Sequence, residues 1–320
     1  MLDTSVSTDG PHEDPGVSVV SGSIWGTRPR RLAALLTAAA LVLTACGQGK
    51  AGTAIADGDD AATYVSEKFA EQLGKLGDQF TGDRPRKNTL DRFARVDDKD
   101  SDSTITGIQL GKPPARLSTN RSKENPDEYL DSFHPAGSDV EYLRLGPVYA
   151  SLAPTPWVSM PYNGDQYDEC FWGGQQDVCK MVSAVTEATQ SPKARAAKSA
   201  KRLDDGTVEL NADITLRLFL KHRVIVFPQN LIDRMSESMQ DEPIPTKLTI
   251  DAQGTIKAIE MNAKIAKDGH EVEIRMHYQH QGEPTERDLP EVPAEAEITA
   301  LKTEAEVDDF YDRMGEIQGN

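Results

Sequence analysis

The chain has 320 residues, with 52 acidic side chains against 35 Lys and Arg, and a net charge of −17 at neutral pH. Such a surface repels nucleic acid and anionic lipid headgroups, which excludes nucleic-acid binding and a purely electrostatic grip on a membrane. The length suits one large β-rich domain or two small ones, enough to bury a core.

The first element is Leu32–Leu43, an apolar run of 12 residues that follows Arg28, Arg30 and Arg31. A membrane-spanning helix needs roughly 20 residues, so this run is too short for a permanent span. Positive residues, a short apolar stretch and the small residues Thr44-Ala45 form a secretory signal. Met1–Thr27 is long and acidic for its leading part, which fits a start further on, at Val17, Val19 or Val20. Arg30-Arg31 also suggests twin-arginine export. Pro29 precedes the pair and Ala33 follows where a bulky apolar residue is usual, so we expect the ordinary secretory route.

Leu43-Thr44-Ala45-Cys46 resembles the bacterial lipobox. The resemblance implies a diacylglyceryl group on Cys46, cleavage before it, and acyl chains such as palmitate holding the mature protein on the extracytoplasmic face of the cell membrane. Each buried CH₂ contributes about 0.8 kcal/mol, so two or three chains anchor stably. We expect residues 1–45 to be a signal peptide, 46–60 a flexible tether, 61–295 the main domain and 296–320 a C-terminal amphipathic helix. The cell membrane is the expected partner; no protein partner is implied.

If Cys46 carries lipid, Cys170 and Cys179 are left as an even pair around Gly173-Gly174. Outside the cytoplasm such a pair is expected to be oxidised. A loop of this size would contribute about 2.7 kcal/mol through chain entropy. A redox pair or metal site fits less well, because there is no C-x-x-C and no nearby histidine.

Ala61–Leu76 reads as a helix, with Val65, Phe69, Leu73 and Leu76 on one face. Thr81–Pro135 reads as long polar loops with strand-like pieces at Phe93–Val96 and Thr104–Leu110. Asp98-Lys99-Asp100-Ser101-Asp102 begins like a calcium loop. Ser103 replaces the turn glycine and Gln109 the bidentate glutamate, so it reads as a solvated acidic loop. Val140–Leu145 and Trp157–Met160 look like short strands. Lys180–Ala200 reads as a helix whose basic end, Lys193 to Arg202, is a solvated face. Tyr149, Trp157 and Trp172 read as core-edge aromatics.

Asp204-Asp205-Gly206 is a turn, Thr207–Asn211 a strand and Ile214–Phe227 ambiguous. Pro228 suits the first turn of a helix reaching Met239. Lys247–Ile250 and Thr255–Met261 form a hairpin about Asp251–Gly254. Val272, Ile274, Met276 and Tyr278 alternate with Glu273, Arg275 and His277, so one face is buried. His277 and His280 point to opposite faces, against a metal pair. Thr303-x-x-Glu306 is a capping box opening a helix with Val307, Phe310, Tyr311 and Met314 on one face. No nucleophile, phosphate-loop or zinc-protease motif occurs, so we expect no enzyme, no cofactor, no metal and no catalytic residue.

The lipobox, the N-terminal helix, the late hairpins with an Asp-x-x-Gly turn, and Gly282-Glu283-Pro284 before a Pro-rich close resemble an actinobacterial lipoprotein of the LolA-like LppX/LprG type. The resemblance is firmest from Thr207 to Pro293. It implies an α+β fold, a strongly curved antiparallel sheet forming a half-open barrel covered by helices. It also implies an acyl lipid ligand in an apolar cavity, and matches no residue to a headgroup. The alternative is an envelope interaction module or sensor-type lipoprotein that docks to a membrane protein without a ligand.

The anchor has a direct test. Cys46→Ala removes the acceptor thiol, and the chain should leave the membrane fraction. Unchanged partition with membranes would contradict the lipobox.

Overall fold

The computed structural model describes Glu71 and residues 84–162, 176–190 and 198–318. The chain divides into Met1–Ala54 and Ile55–Asn320, and all described residues belong to the second unit. The signal, Cys46 and the tether lie outside them. So does the 61–76 helix, save Glu71, which is helical.

Two meanders build one sheet. The first is β1 (Arg86–Val96), β2 (Lys99–Leu110), β3 (Ala115–Ser122), β4 (Leu130–His134), β5 (Val140–Leu145) and β6 (Trp157–Pro161). The second is β7 (Lys198–Arg202), β8 (Val208–Thr215), β9 (Pro243–Ile250), β10 (Ile256–Lys267) and β11 (His270–Gly282). β1 pairs with β11 and so joins the meanders, and β12 (Ile298–Ala300) adds to β6 in parallel. The order is β12-β6-β5-β4-β3-β2-β1-β11-β10-β9-β8-β7, and every other pairing is antiparallel. The edges β12 and β7 do not meet, so the fold is α+β with a curved, half-open barrel.

Turn chemistry fixes the registers. Asp268 and Gly269 have φ of 52° and 84°, the left-handed pair of a tight two-residue hairpin. Asp251 Oδ1 accepts from the backbone N–H of Gln253 and Thr255. Gly254, at φ 86°, completes that turn.

Helices cover one face of the sheet at its two ends. α1 (Gln176–Gln190) buries Val178, Met181, Val185 and Ala188, the three-four spacing of one helix face. It packs on β8 beside α2 (Leu216–Lys221), whose N-cap Thr215 accepts from Leu218 N–H. Beneath them lie Leu210, Ile214, Leu248, Ile259, Ile274 and Leu90, in the larger core. At the other end α5 (Glu304–Gln318) inserts Phe310 against Leu143, Leu145, Val158 and Met160. Glu306 accepts from Thr303 N–H while Thr303 Oγ1 accepts from Glu306 N–H, which is the expected capping box.

Several expectations are corrected. Thr81–Pro135 holds four strands, not long loops. Its outward face carries paired charge, Arg95 with Glu271 and Glu273, Arg121 with Asp131, and Lys123 with Asp91 and Asp102, beside an apolar row of Ile108, Leu117 and Phe133. Its inward face is apolar at Leu90, Ala94, Val96 and Ile105 but polar at Arg92, Ser103 and along β3, so the apolar alternation is short and broken. Asp97 and Asp98 form a tight hairpin turn, and Lys99 to Asp102 already belong to β2, so no acidic loop exists there. The helix from 180 ends at Gln190, and Lys198 to Arg202 form the edge strand β7. Exposed Lys201 and Arg202 blunt that edge against further pairing. In place of one helix reaching Met239 there are two short ones: α3 (Gln229–Ile232), with Pro228 at its N-cap, and α4 (Glu237–Gln240), capped by Ser236.

Asp97 ties the β1–β2 turn to β11. Its carboxylate accepts from Glu271 N–H, His270 Nδ1 and Arg234 Nη1 at 2.9, 2.9 and 3.3 Å. These bonds, the backbone one first, hold it down at about 2 against an ordinary 3.8. A carboxyl lowered on folding contributes stability above its unfolded pKa and loses it as pH falls through the folded one. Asp97→Asn tolerates the same backbone angle and should lower the melting temperature near neutral pH. The gap to wild type should close as pH falls toward about 2. A gap that does not change with pH would contradict this assignment.

Candidate ligand groove on the inner face

Directly opposed residues of neighbouring antiparallel strands share a face. Asn88, Gly107, Ser118, Ser132, Leu143 and Val158 oppose one another in turn from β1 to β6. The helix-covered face of β1 is therefore the same face that α5 covers at β5 and β6. Between the two apolar cores that face turns polar. On β3 its residues Arg116, Ser118, Asn120 and Ser122 are all half-buried, as is Ser132 on β4. We take this polar, half-buried strip between the two cores as the floor of a candidate groove.

One row crosses the groove. Arg86, Gln109, Arg116 and His134 stand opposite each other on β1, β2, β3 and β4. The Arg84 carbonyl accepts from Arg86 Nε at 3.4 Å and Gln109 Nε2 at 3.2 Å. Gln109 Oε1 accepts from Arg116 Nε at 3.2 Å, and Tyr162 Oη accepts from Arg116 Nη1 at 2.6 Å. The Tyr162 ring stacks on His134 with centroids 3.6 Å apart. His134 Nε2 lies 2.8 Å from the Ser138 carbonyl, which only accepts, so Nε2 donates and the neutral ring leaves Nδ1 an acceptor.

Burial dominates the electrostatics of the row. Desolvation pulls the Arg86 guanidinium below its ordinary value, and Arg84 and Arg116 push the same way. It lowers His134 and His280, so both rings are neutral at neutral pH. It raises the Tyr278 hydroxyl to about 12, with Arg86 opposing. At the boundary with the larger core, Arg92 pairs with Asp177 in the first turn of α1 at 3.5 Å. Burial raises the Asp177 carboxyl although Arg92 lowers it, so desolvation wins there.

Among the described residues the apolar half offers no comparable space. Met181, Ala184, Val185, Leu210, Ile214 and Leu248 have zero exposure, so α1 and the strands beneath it form a packed core. A cleft of about 500 Å³ at the rim is lined by Glu242, Lys264 and Lys267 among others, and it is polar.

Of the sequence candidates, Cys46 and Cys170 lie outside the described residues, and so does Trp172. Cys179 is buried on α1 at 6% exposure. Tyr149 lies in the smaller core, and half-buried Trp157 sits on β6, its ring 5.9 Å from Arg144. His277 opposes Asp91 outside the groove and His280 opposes Asn88 inside it, as expected of opposite faces. Sequence reasoning passed over Arg86, Gln109, Arg116, His134 and Tyr162. A signal for Arg86 and Asn88 existed: they continue the alternation of Leu90, Ala94 and Val96, which puts them on a buried face.

No protein-family model matches the chain, and no curated protein matches it significantly. Among solved structures it is similar to a DUF1329 family protein from Desulfovibrio piger. That likeness has 8% identity and a TM-score of 0.24, over 70% of this chain and 96% of the other. It is also similar to an outer membrane lipoprotein-sorting protein domain from Vibrio parahaemolyticus. Identity there is 10% and the TM-score 0.20, over 70% of this chain and 96% of the other. At these scores neither likeness bears on function, and the fold rests on the strand order above.

The division of the inner face is testable by mutation. Met181→Ala should cost about 2–5 kcal/mol of stability, as expected of a side chain in a filled core. A loss well below that, read from denaturant unfolding, would mean the space under α1 is loosely packed and open to a ligand.

Proposed function

We propose that the chain is a membrane-tethered extracytoplasmic lipoprotein. It binds an apolar or acyl ligand on the inner face of its half-open barrel and catalyses no reaction. The observation that supports this best is the groove itself. It lies on the face shared by the two helix-covered cores, with a floor that stays half-buried on β3 and β4. The anchor is Cys46, on the extracytoplasmic face of the cell membrane. A disulfide between Cys170 and Cys179 completes the proposal and would tether the chain before α1 to that helix.

A specific observation favours a second reading. Among the described residues the apolar half is filled by its own side chains, with no cavity beneath α1 for a long acyl chain. An interaction module that docks to a membrane protein needs no such cavity.

Native mass spectrometry of the domain, expressed without its leader and purified free of membranes, separates the two. A co-purifying acyl lipid is the expected result. A well-folded domain that carries none, and takes none up when offered, would contradict ligand binding and favour docking.

A further inference from the structure

We propose that the Arg86–Arg116 end of the groove is an oxyanion site, which takes a phosphate or carboxylate group of the ligand. The proposal rests on the reading of the inner face as a ligand-binding face, and it does not require the ligand to be acylated.

The first observation is charge. Among the described residues no ion pair involves Arg84, Arg86 or Arg116, although the chain carries an excess of 17 negative charges. The other three arginines on β1–β3 do have carboxylates: Arg92, Arg95 and Arg121. On the groove face Glu141 acts electrostatically on His134, and its Oε1 accepts from Ser132 Oγ on the β5 side.

The second is burial. Arg86 is 7% exposed, and its Nη2 is buried without a hydrogen-bond partner. Its single protein bond is the 3.4 Å contact from Nε to the Arg84 carbonyl. An isolated buried charge costs several kcal/mol unless something opposite arrives. Arg116 is held only by neutral groups, Gln109 and Tyr162, which orient the guanidinium without neutralising it. Gln109 thereby links both arginines to one frame. Their strands are two steps apart, about 10 Å, within reach of two long side chains converging on one anion. A planar guanidinium pair suits the bidentate geometry of phosphate or carboxylate.

The third is the pattern of unsatisfied atoms. Five buried side-chain atoms lack hydrogen-bond partners among the described residues, and three of them face the groove: Arg86 Nη2, His134 Nδ1 and Asn120 Oδ1. The last two are acceptors. An anion that also carries hydroxyl groups would satisfy all three, which points to a phosphorylated or carboxylated polyol as the polar end of the ligand.

The test uses the mature chain begun at Gly47, which retains the unit Ile55–Asn320 whole. Calorimetry would compare three probes: glycerol phosphate, dihexanoyl phosphatidylglycerol below its micellar concentration, and the neutral amphiphile octyl glucoside. Wild type should bind the phosphatidylglycerol. The double variant Arg86→Gln, Arg116→Gln should bind it at least about ten-fold more weakly. Unchanged affinity in the double variant, or no binding of either phosphate by wild type, would overturn the oxyanion site. Equal binding of glycerol phosphate and phosphatidylglycerol, with none of octyl glucoside, would keep the oxyanion site and remove the acyl reading. Equal binding of both amphiphiles by both proteins would do the reverse. Melting curves guard against misfolding. Arg86→Gln relieves an uncompensated buried charge, so it should melt at or above wild type, and phosphate should raise only the wild-type melting temperature. A large fall in the variant would assign Arg86 to structure and sink the proposal.

Discussion

The ladder between β1 and β11 is the constraint on which the rest depends. It pairs residues almost 200 positions apart, from Lys87 with Gly282 to Val96 with Val272. Without it the two meanders would be separate sheets, each with an open edge. It also sets which side chains face inward. A slip of one residue would turn Leu90, Ala94 and Val96 outward and bring Asp91, Phe93 and Arg95 in. The apolar pairs Leu90–Tyr278, Ala94–Ile274 and Val96–Val272 forbid that slip, because all six side chains are buried. The same lock carries Arg86 and Asn88 to the inner face, where nothing apolar would have placed them.

That coupling explains how a folded chain tolerates an unpaired guanidinium. The larger core supplies many fully buried aliphatic side chains, each contributing roughly 1.5–3 kcal/mol. One desolvated arginine at the end of β1 is affordable against that sum. Acidic pairs elsewhere on the sheet show what ordinary compensation looks like: Arg121 and Asp131 meet with two bonds on the outer face. The groove lacks that compensation. Its two arginines are oriented by an amide and a phenol, an arrangement suited to receiving a charge from outside.

How much of this was legible in the sequence differs along the chain. β9 to β11 were legible because one face is apolar at every second residue and the turns carry Asp-Gly chemistry. α5 was legible because Thr303 and Glu306 make a local cap that needs no tertiary information. β1 to β4 were legible only in pieces, because the inward alternation of Leu90, Ala94, Val96 and Ile105 is broken by Arg92 and Ser103, β3 is polar on its inner face, and ion pairs take much of the outer one. Charged pairs across strands join residues far apart in sequence, and no local window registers them. The end of α1 was misplaced for a related reason. Lys and Arg are good helix formers, yet here they occupy an edge strand, where exposure rather than propensity decides. The groove row was the least legible part. Its residues are one per strand, and only the register brings them together.

The central claim is that one inner face is sealed at the β8 end and open at β3. Thiol labelling of two single-cysteine substitutions tests it most directly, Ser118→Cys in the groove and Ala212→Cys under α1. Ser118 is half-buried on the groove floor, and Ala212 is 1% exposed. The thiol at 118 should react rapidly in the folded protein, and the thiol at 212 only on unfolding. Comparable rates at the two positions, or protection at 118 alone, would contradict the account.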